Sequence, residues 1–163
     1  MRGTQEQIAA YLASAANLLG RYGVDLASPS GLDAVELLED ANGNLSYELL
    51  GTLPGSQDAA RSELAIREGF ERLGRDQFER TRYEFELVDR GRDFRRAFHM
   101  HFTEWFIERY QVVVHEHCER PVGRVACEHY EGSPIKDAFA GIDKLIDAWT
   151  NAPPDCAVLA CLD

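Results

Sequence analysis

All five histidines of this 163-residue chain (His99, His101, His115, His117 and His129) fall in one stretch, with Cys118 and Cys127 among them. Imidazole and thiolate are the usual ligands of zinc and related metals. Side chains two residues apart on a strand share a face, so His99 and His101 form one same-face pair and His115 and His117 another. The same groups can also move protons, because a neutral imidazole beside a carboxylate is poised near neutral pH. Metal binding and acid–base work are therefore the two chemistries to place on a fold. No nucleotide-binding loop, nucleophile elbow or kinase-type motif accompanies them.

The elements that must carry these residues follow from hydrophobic period. Residues 4–22 read as a helix: Thr4 and Gln7 have capping-box spacing, and Ile8, Tyr11, Leu12, Ala15, Leu18 and Leu19 make one apolar stripe. Ser30 begins a second, short helix that Asn42-Gly43 ends. Residues 44–50 are ambiguous between strand and helical turn. Residues 58–73 read as a third helix, with Leu64, Ile66, Phe70 and Leu73 buried and Glu63–Arg67 as an i,i+4 pair. The period then changes to two. Tyr83, Phe85 and Leu87 alternate with Glu84 and Glu86, Arg90-Gly91 suits a hairpin turn, and strands follow over 93–102, 106–118 and 124–130. Ser133-Pro134 starts a closing amphipathic helix that ends by Asn151.

The expected fold class is therefore α+β. N-terminal helices (1–78) precede a four-stranded antiparallel meander, and a C-terminal helix packs on one sheet face (79–150). An apolar tail (151–163) packs on the same single domain, 1–163.

Register arithmetic then sorts the candidate sites. A two-residue turn at Arg90-Gly91 sets Leu87 opposite Phe94. A turn at Pro121-Val122 sets Glu116 opposite Cys127 and His115 opposite Glu128. A short turn near Thr103-Glu104 leaves His99 and His101 roughly 20 Å or more from His115. One site holding every histidine is therefore not expected. Two smaller clusters are. His115, His117 and Glu128 form a catalytic set, with Arg124 or Arg109 as the nearby cation. Cys127, His129 and Glu116 form a metal set, with zinc as the candidate cofactor. A four-sulfur site joining Cys118 and Cys127 to Cys156 and Cys161 is a further arrangement.

Bulk properties narrow the partners. The net charge of −11 repels phosphate backbones and anionic lipid, so nucleic acid is admitted only locally. Arg82, Arg90, Arg92, Arg95 and Arg96 form a basic sector, against an acidic one with Asp33, Glu36, Glu39 and Asp40. No apolar run reaches a membrane span or an export signal, so the expectation is a cytoplasmic protein with four reduced cysteines.

Three stretches and the closing helix carry a resemblance. They are Tyr83-Glu84-Phe85-Glu86-Leu87-Val88-Asp89, Arg95-Arg96-Ala97-Phe98-His99 and Val114-His115-Glu116-His117. Between Arg82 and Trp149 the chain resembles small prokaryotic domains of unknown function and is loosely similar to TumE-like toxins of toxin–antitoxin pairs. That resemblance implies a toxin–antitoxin or defence context, with His115 and His117 matching the family's histidine pair.

Three functions are compatible with these features. The first is a non-enzymatic interaction subunit that meets a protein partner or another copy of itself through Trp105, Phe106 and Tyr130. The second is a small histidine-dependent ribonuclease or phosphodiesterase. The third is a zinc-binding domain.

Overall fold

The computed structural model describes residues 1–27, 36–55, 61–100, 108, 114–123 and 134–151, together with the backbone of 125–129. The expected tail and the aromatic residues Trp105, Phe106 and Tyr130 lie outside that set. The fold is α+β: two helices and one antiparallel sheet of nine strands among the described residues.

In chain order these are β1 (Arg2–Gly3), α1 (Gln5–Arg21), β2 (Asp25–Ala27), β3 (Leu37–Glu39), β4 (Leu45–Thr52), β5 (Ser62–Gly74), β6 (Gln77–Asp89), β7 (Phe94–Met100), β8 (Val114–Glu119), β9 (Val125–His129) and α2 (Ala138–Thr150). The sheet order is β2-β4-β5-β6-β7-β8-β9, with β1 beside β6 and β3 beside β4. The expected four strands are thus the far part of a longer meander that begins at β4. The outer edge of β4 is shared: β2 pairs with residues 50–52 and β3 with 45–47.

Helix α1 starts as the sequence requires. The Thr4 hydroxyl accepts from Gln7 N at 3.2 Å, and the Gln7 side chain accepts from Thr4 N at 2.9 Å. Helix α2 starts later than Ser133-Pro134 suggests, because Asp137 is its cap and accepts from Ala140 N at 2.9 Å. Both helices bury their apolar stripes on one sheet face. Ile8, Leu12 and Leu19 of α1 and Ile142 and Leu145 of α2 join Leu49, Ile66, Phe85, Leu87 and Phe94 in a single core. Gly141 lets α2 lie close to β6, since a Cβ there would stand 2.5 Å from the Phe85 ring. Among the described residues no helix is long and apolar enough to cross a membrane.

Two expected helices are corrected. Leu37–Glu39, inside the second expected helix, is strand β3, and residues 28–35 lie outside the described set. The third expected helix is strand β5, and the ambiguous 44–50 segment is strand β4. The physical reason lies at Glu68. Leu64, Ile66, Glu68 and Phe70 all point into the core, and the carboxylate interrupts the alternation that would mark a strand. Glu68 is tolerated there because Arg80 of β6 and the Tyr47 hydroxyl of β4 both donate to it. Arg80 also donates to the carbonyls of Ile135 and of Lys136, the latter at 2.8 Å, and stands over the Tyr83 ring. Tyr83 Oη accepts from Ile135 N at 2.9 Å, and Tyr11 Oη accepts from Ala138 N at 2.5 Å. This buried polar network fixes the start of α2 against the sheet.

Candidate functional site

The sheet face opposite the helices carries the histidines. Their positions follow from register. Asp89 pairs with Phe94, so the β6–β7 connection is longer than two residues, and Leu87 faces Arg96 rather than Phe94. That shift is by two, so every side chain keeps its face. His99 pairs directly with His115, which centres the β7–β8 connection near residue 107 and not at Thr103-Glu104. The expectation that His99 lies far from His115 is therefore overturned: the assumed turn is too early.

The β8–β9 loop is also longer than a two-residue turn, because Glu119 pairs with Val125. That one-residue change exchanges faces. His115 now faces His129, Glu116 faces Glu128, and His117 faces Cys127. The expected oppositions of His115 with Glu128 and of Glu116 with Cys127 do not form.

His115 and His117 do come together, and His99 joins them. One nitrogen from each of these three rings lies within 4.8 Å of the others. Their centroids stand 5.0, 4.9 and 4.8 Å apart, and the ring planes are splayed rather than stacked. Three imidazoles on one tetrahedral zinc, with Zn–N of about 2.0–2.1 Å, have centroids roughly 5 Å apart. The ring spacing therefore already suits such an ion. His115 is buried, and His99 and His117 are half-buried. Two hydrogen-bonded strands supply all three imidazoles: one cross-strand pair and its i+2 neighbour.

Of the expected metal set, Glu116 is buried on the helix-bearing face and ion-paired with Arg96. Cys127 and His129 are placed by backbone register only, opposite His117 and His115. Of the expected catalytic set, Glu128 is likewise known by backbone position, while Arg109 and Arg124 lie outside the described residues. Cys118 is fully buried and disulfide-bonded, not the free thiol expected, so it is unavailable as a thiolate in a four-sulfur site.

The histidines end a charged row across the sheet face opposite the helices. Through successive strand pairs, Glu48 faces Arg67, Arg67 faces Glu84, and Glu84 faces His99. Arg67 binds Glu48, Glu84 (2.7 Å) and Glu86 (3.4 Å), and Arg95 bridges Glu86 and Glu119. Burial works against the charge of Arg67, but its bond to Glu48 and the nearby acids outweigh that and hold the guanidinium above its ordinary value. Burial likewise opposes ionisation of Glu86, yet Arg95 and Arg67 bring its carboxyl below the usual range. Next to the trio a cleft of about 530 Å³ is lined by His99 together with Leu38, Ser46, Glu48, Arg67, Arg82 and Glu84. This wall is missing from the sequence reading because residues 58–73 are expected there to be a helix. The alternation Glu63-Leu64-Ala65-Ile66-Arg67 is the signal that could have found it.

No protein-family model, curated protein or solved structure matches the chain.

Proposed function

We propose that this chain is a metal-binding domain whose centre is His99, His115 and His117, with zinc as the ion and one coordination position turned to the neighbouring cleft. The single observation that carries this reading is the grouping of three imidazoles, with one nitrogen of each within 4.8 Å of the others and ring centroids 4.8–5.0 Å apart. Borderline nitrogen ligands favour zinc and neighbouring divalent metals over calcium or magnesium. Three protein ligands with a fourth place open is the pattern of reactive rather than purely structural zinc sites. When bound, such an ion lends Lewis acidity to whatever occupies that place. The protein's own part is to fix the ligands on two rigid strands and to keep His115 from solvent.

Elemental analysis of the protein, dialysed after zinc loading, tests this. The expectation is about one zinc per chain for the wild type and loss in His99→Ala, His115→Ala and His117→Ala. Glu116→Gln, with its fold confirmed by circular dichroism, should keep the metal. Wild type without zinc, or His99→Ala with full zinc, overturns the reading. Loss of zinc in a folded Glu116→Gln also overturns it, since Glu116 lies on the opposite sheet face from the three histidines.

A metal-independent ribonuclease or phosphodiesterase would use the same imidazoles as acid and base, and the zinc measurement separates the two. The interaction-subunit reading, in a toxin–antitoxin or defence setting, leans on Trp105, Phe106 and Tyr130, and no described surface adds to it.

A further inference from the structure

The cleft beside the histidines holds the guanidinium of Arg82, for which no hydrogen bond or ion pair forms among the described residues. Arg90, Arg92, Arg95 and Arg96 are all ion-paired, with Glu63, Asp89, Glu86/Glu119 and Glu116 respectively. These four members of the basic sector suggested by sequence are thus neutralised, Arg95 and Arg96 on opposite sheet faces and Arg90 and Arg92 in the β6–β7 turn. Arg67, on the same cleft wall, is enclosed by carboxylates. Arg82 makes no hydrogen bond or ion pair among the described residues. The nearby carboxylate of Asp40 is occupied by Asn42 N (2.8 Å), Asn44 N (2.9 Å) and Asn44 Nδ2 (3.1 Å), and Arg82 acts on it only at a distance.

Two backbone features put Arg82 where it is. Phe70 pairs with Arg80 and Gly69 with Arg82, so a bulge at Thr81 interrupts the register. Without that extra residue Arg80 and Arg82 would share a face. With it, Arg80 enters the core and Arg82 turns to the face opposite the helices. Gly69 then leaves bare backbone for the side chain to cross: a Cβ there would stand 2.2 Å from Arg82 Nε and 2.6 Å from its Cγ. Glycine inside a strand weakens it and marks a place of close approach.

We infer that the cleft receives a small organic oxyanion, a carboxylate or a phosphate ester. Arg82 holds its charged group, and its other end reaches the metal position beside His99. This rests on the metal reading above. The two anchors sit one two-residue step and about two strand spacings apart, so the ligand spans on the order of 10 Å. The cleft volume is in the range of small-molecule sites. A guanidinium offers paired donors that match either oxyanion.

The test is calorimetric titration of the zinc-loaded, full-length protein with inorganic phosphate and, separately, with succinate. The tighter of the two names the oxyanion. Arg82→Gln should weaken it at least tenfold and Arg82→Lys less. Gly69→Ala should weaken it comparably, because it displaces the guanidinium. Zinc content should stay unchanged in all three. Arg75→Gln, an exposed arginine away from the cleft, should bind as wild type. The inference is overturned if neither anion binds, if Arg82→Gln binds as wild type, or if Arg75→Gln loses as much as Arg82→Gln. Absence of zinc in the wild type overturns the metal reading alone. The same titration, read for its dependence on Arg82, still decides the oxyanion.

Discussion

Replacing Glu68 with glutamine should cost the fold about 3–5 kcal/mol, the usual penalty for breaking one half of a buried ion pair. The size follows from the surroundings. The Glu68 side chain is 0% exposed and that of Arg80 only 4%. Glutamine keeps the shape and can still accept from Tyr47, but it leaves the guanidinium with a full charge and no counter-ion away from water. Arg80 cannot swing out without giving up the Ile135 and Lys136 carbonyls that set the start of α2. For a chain of this length, that loss lowers the melting temperature by on the order of 10 °C or more. Urea denaturation followed by far-ultraviolet circular dichroism measures it, with the exposed pair as control: Glu63→Gln should change stability by less than about 0.5 kcal/mol. The double variant Glu68→Leu/Arg80→Met should recover much of the single loss, since apolar replacement of both partners removes the uncompensated charge. A Glu68→Gln protein within about 1 kcal/mol of wild type would refute the reasoning.

Two further outcomes follow from the core. Burial first, and then the charge of Glu68, push the Tyr47 and Tyr11 hydroxyls well above the ordinary tyrosine value. The folded state therefore binds these protons more tightly than the unfolded chain. The stability they contribute is complete below about pH 10 and is lost as pH rises beyond it. Thermal melts from about pH 9 to pH 11 should show a decline that sets in near pH 10 and is shallower in Tyr47→Phe, and equal slopes would contradict this. Gly141→Ala should destabilise by about 1–3 kcal/mol through the clash with Phe85, despite alanine's better helix propensity. A more stable Gly141→Ala protein by urea denaturation would show that α2 does not sit so close to β6.

How much of this was legible in the sequence can be traced residue by residue. The capping box of Thr4 and Gln7, the stripe of α1, the alternation of β6 and the apolar face of α2 are local signals, and each is realised. Strand β5 was hidden because its charged core residue finds partners only in tertiary structure, from β4 and β6. Local sequence shows Glu68 as a surface residue of a helix. The candidate site was half legible. Same-face pairing of His115 and His117 follows from period two. The arrival of His99 depended on the length of one connection, and the exchange of Glu128 for His129 opposite His115 depended on a single residue in another. Register errors of one residue change which chemistry meets, whereas errors of two leave the faces intact. Arg82 illustrates the same limit, since a bulge and a glycine on the neighbouring strand decide where it points.

The divided border of the sheet has a consequence for association. Strand β4 is flanked by β2 and β3, each three residues long, and Glu48 and Leu49 fall between them. A second molecule docking along that rim would find no long unbroken ladder of amides to template against, and short interrupted rims discourage the strand-to-strand growth that leads to fibres. Any self-assembly of this chain is thereby steered away from that side.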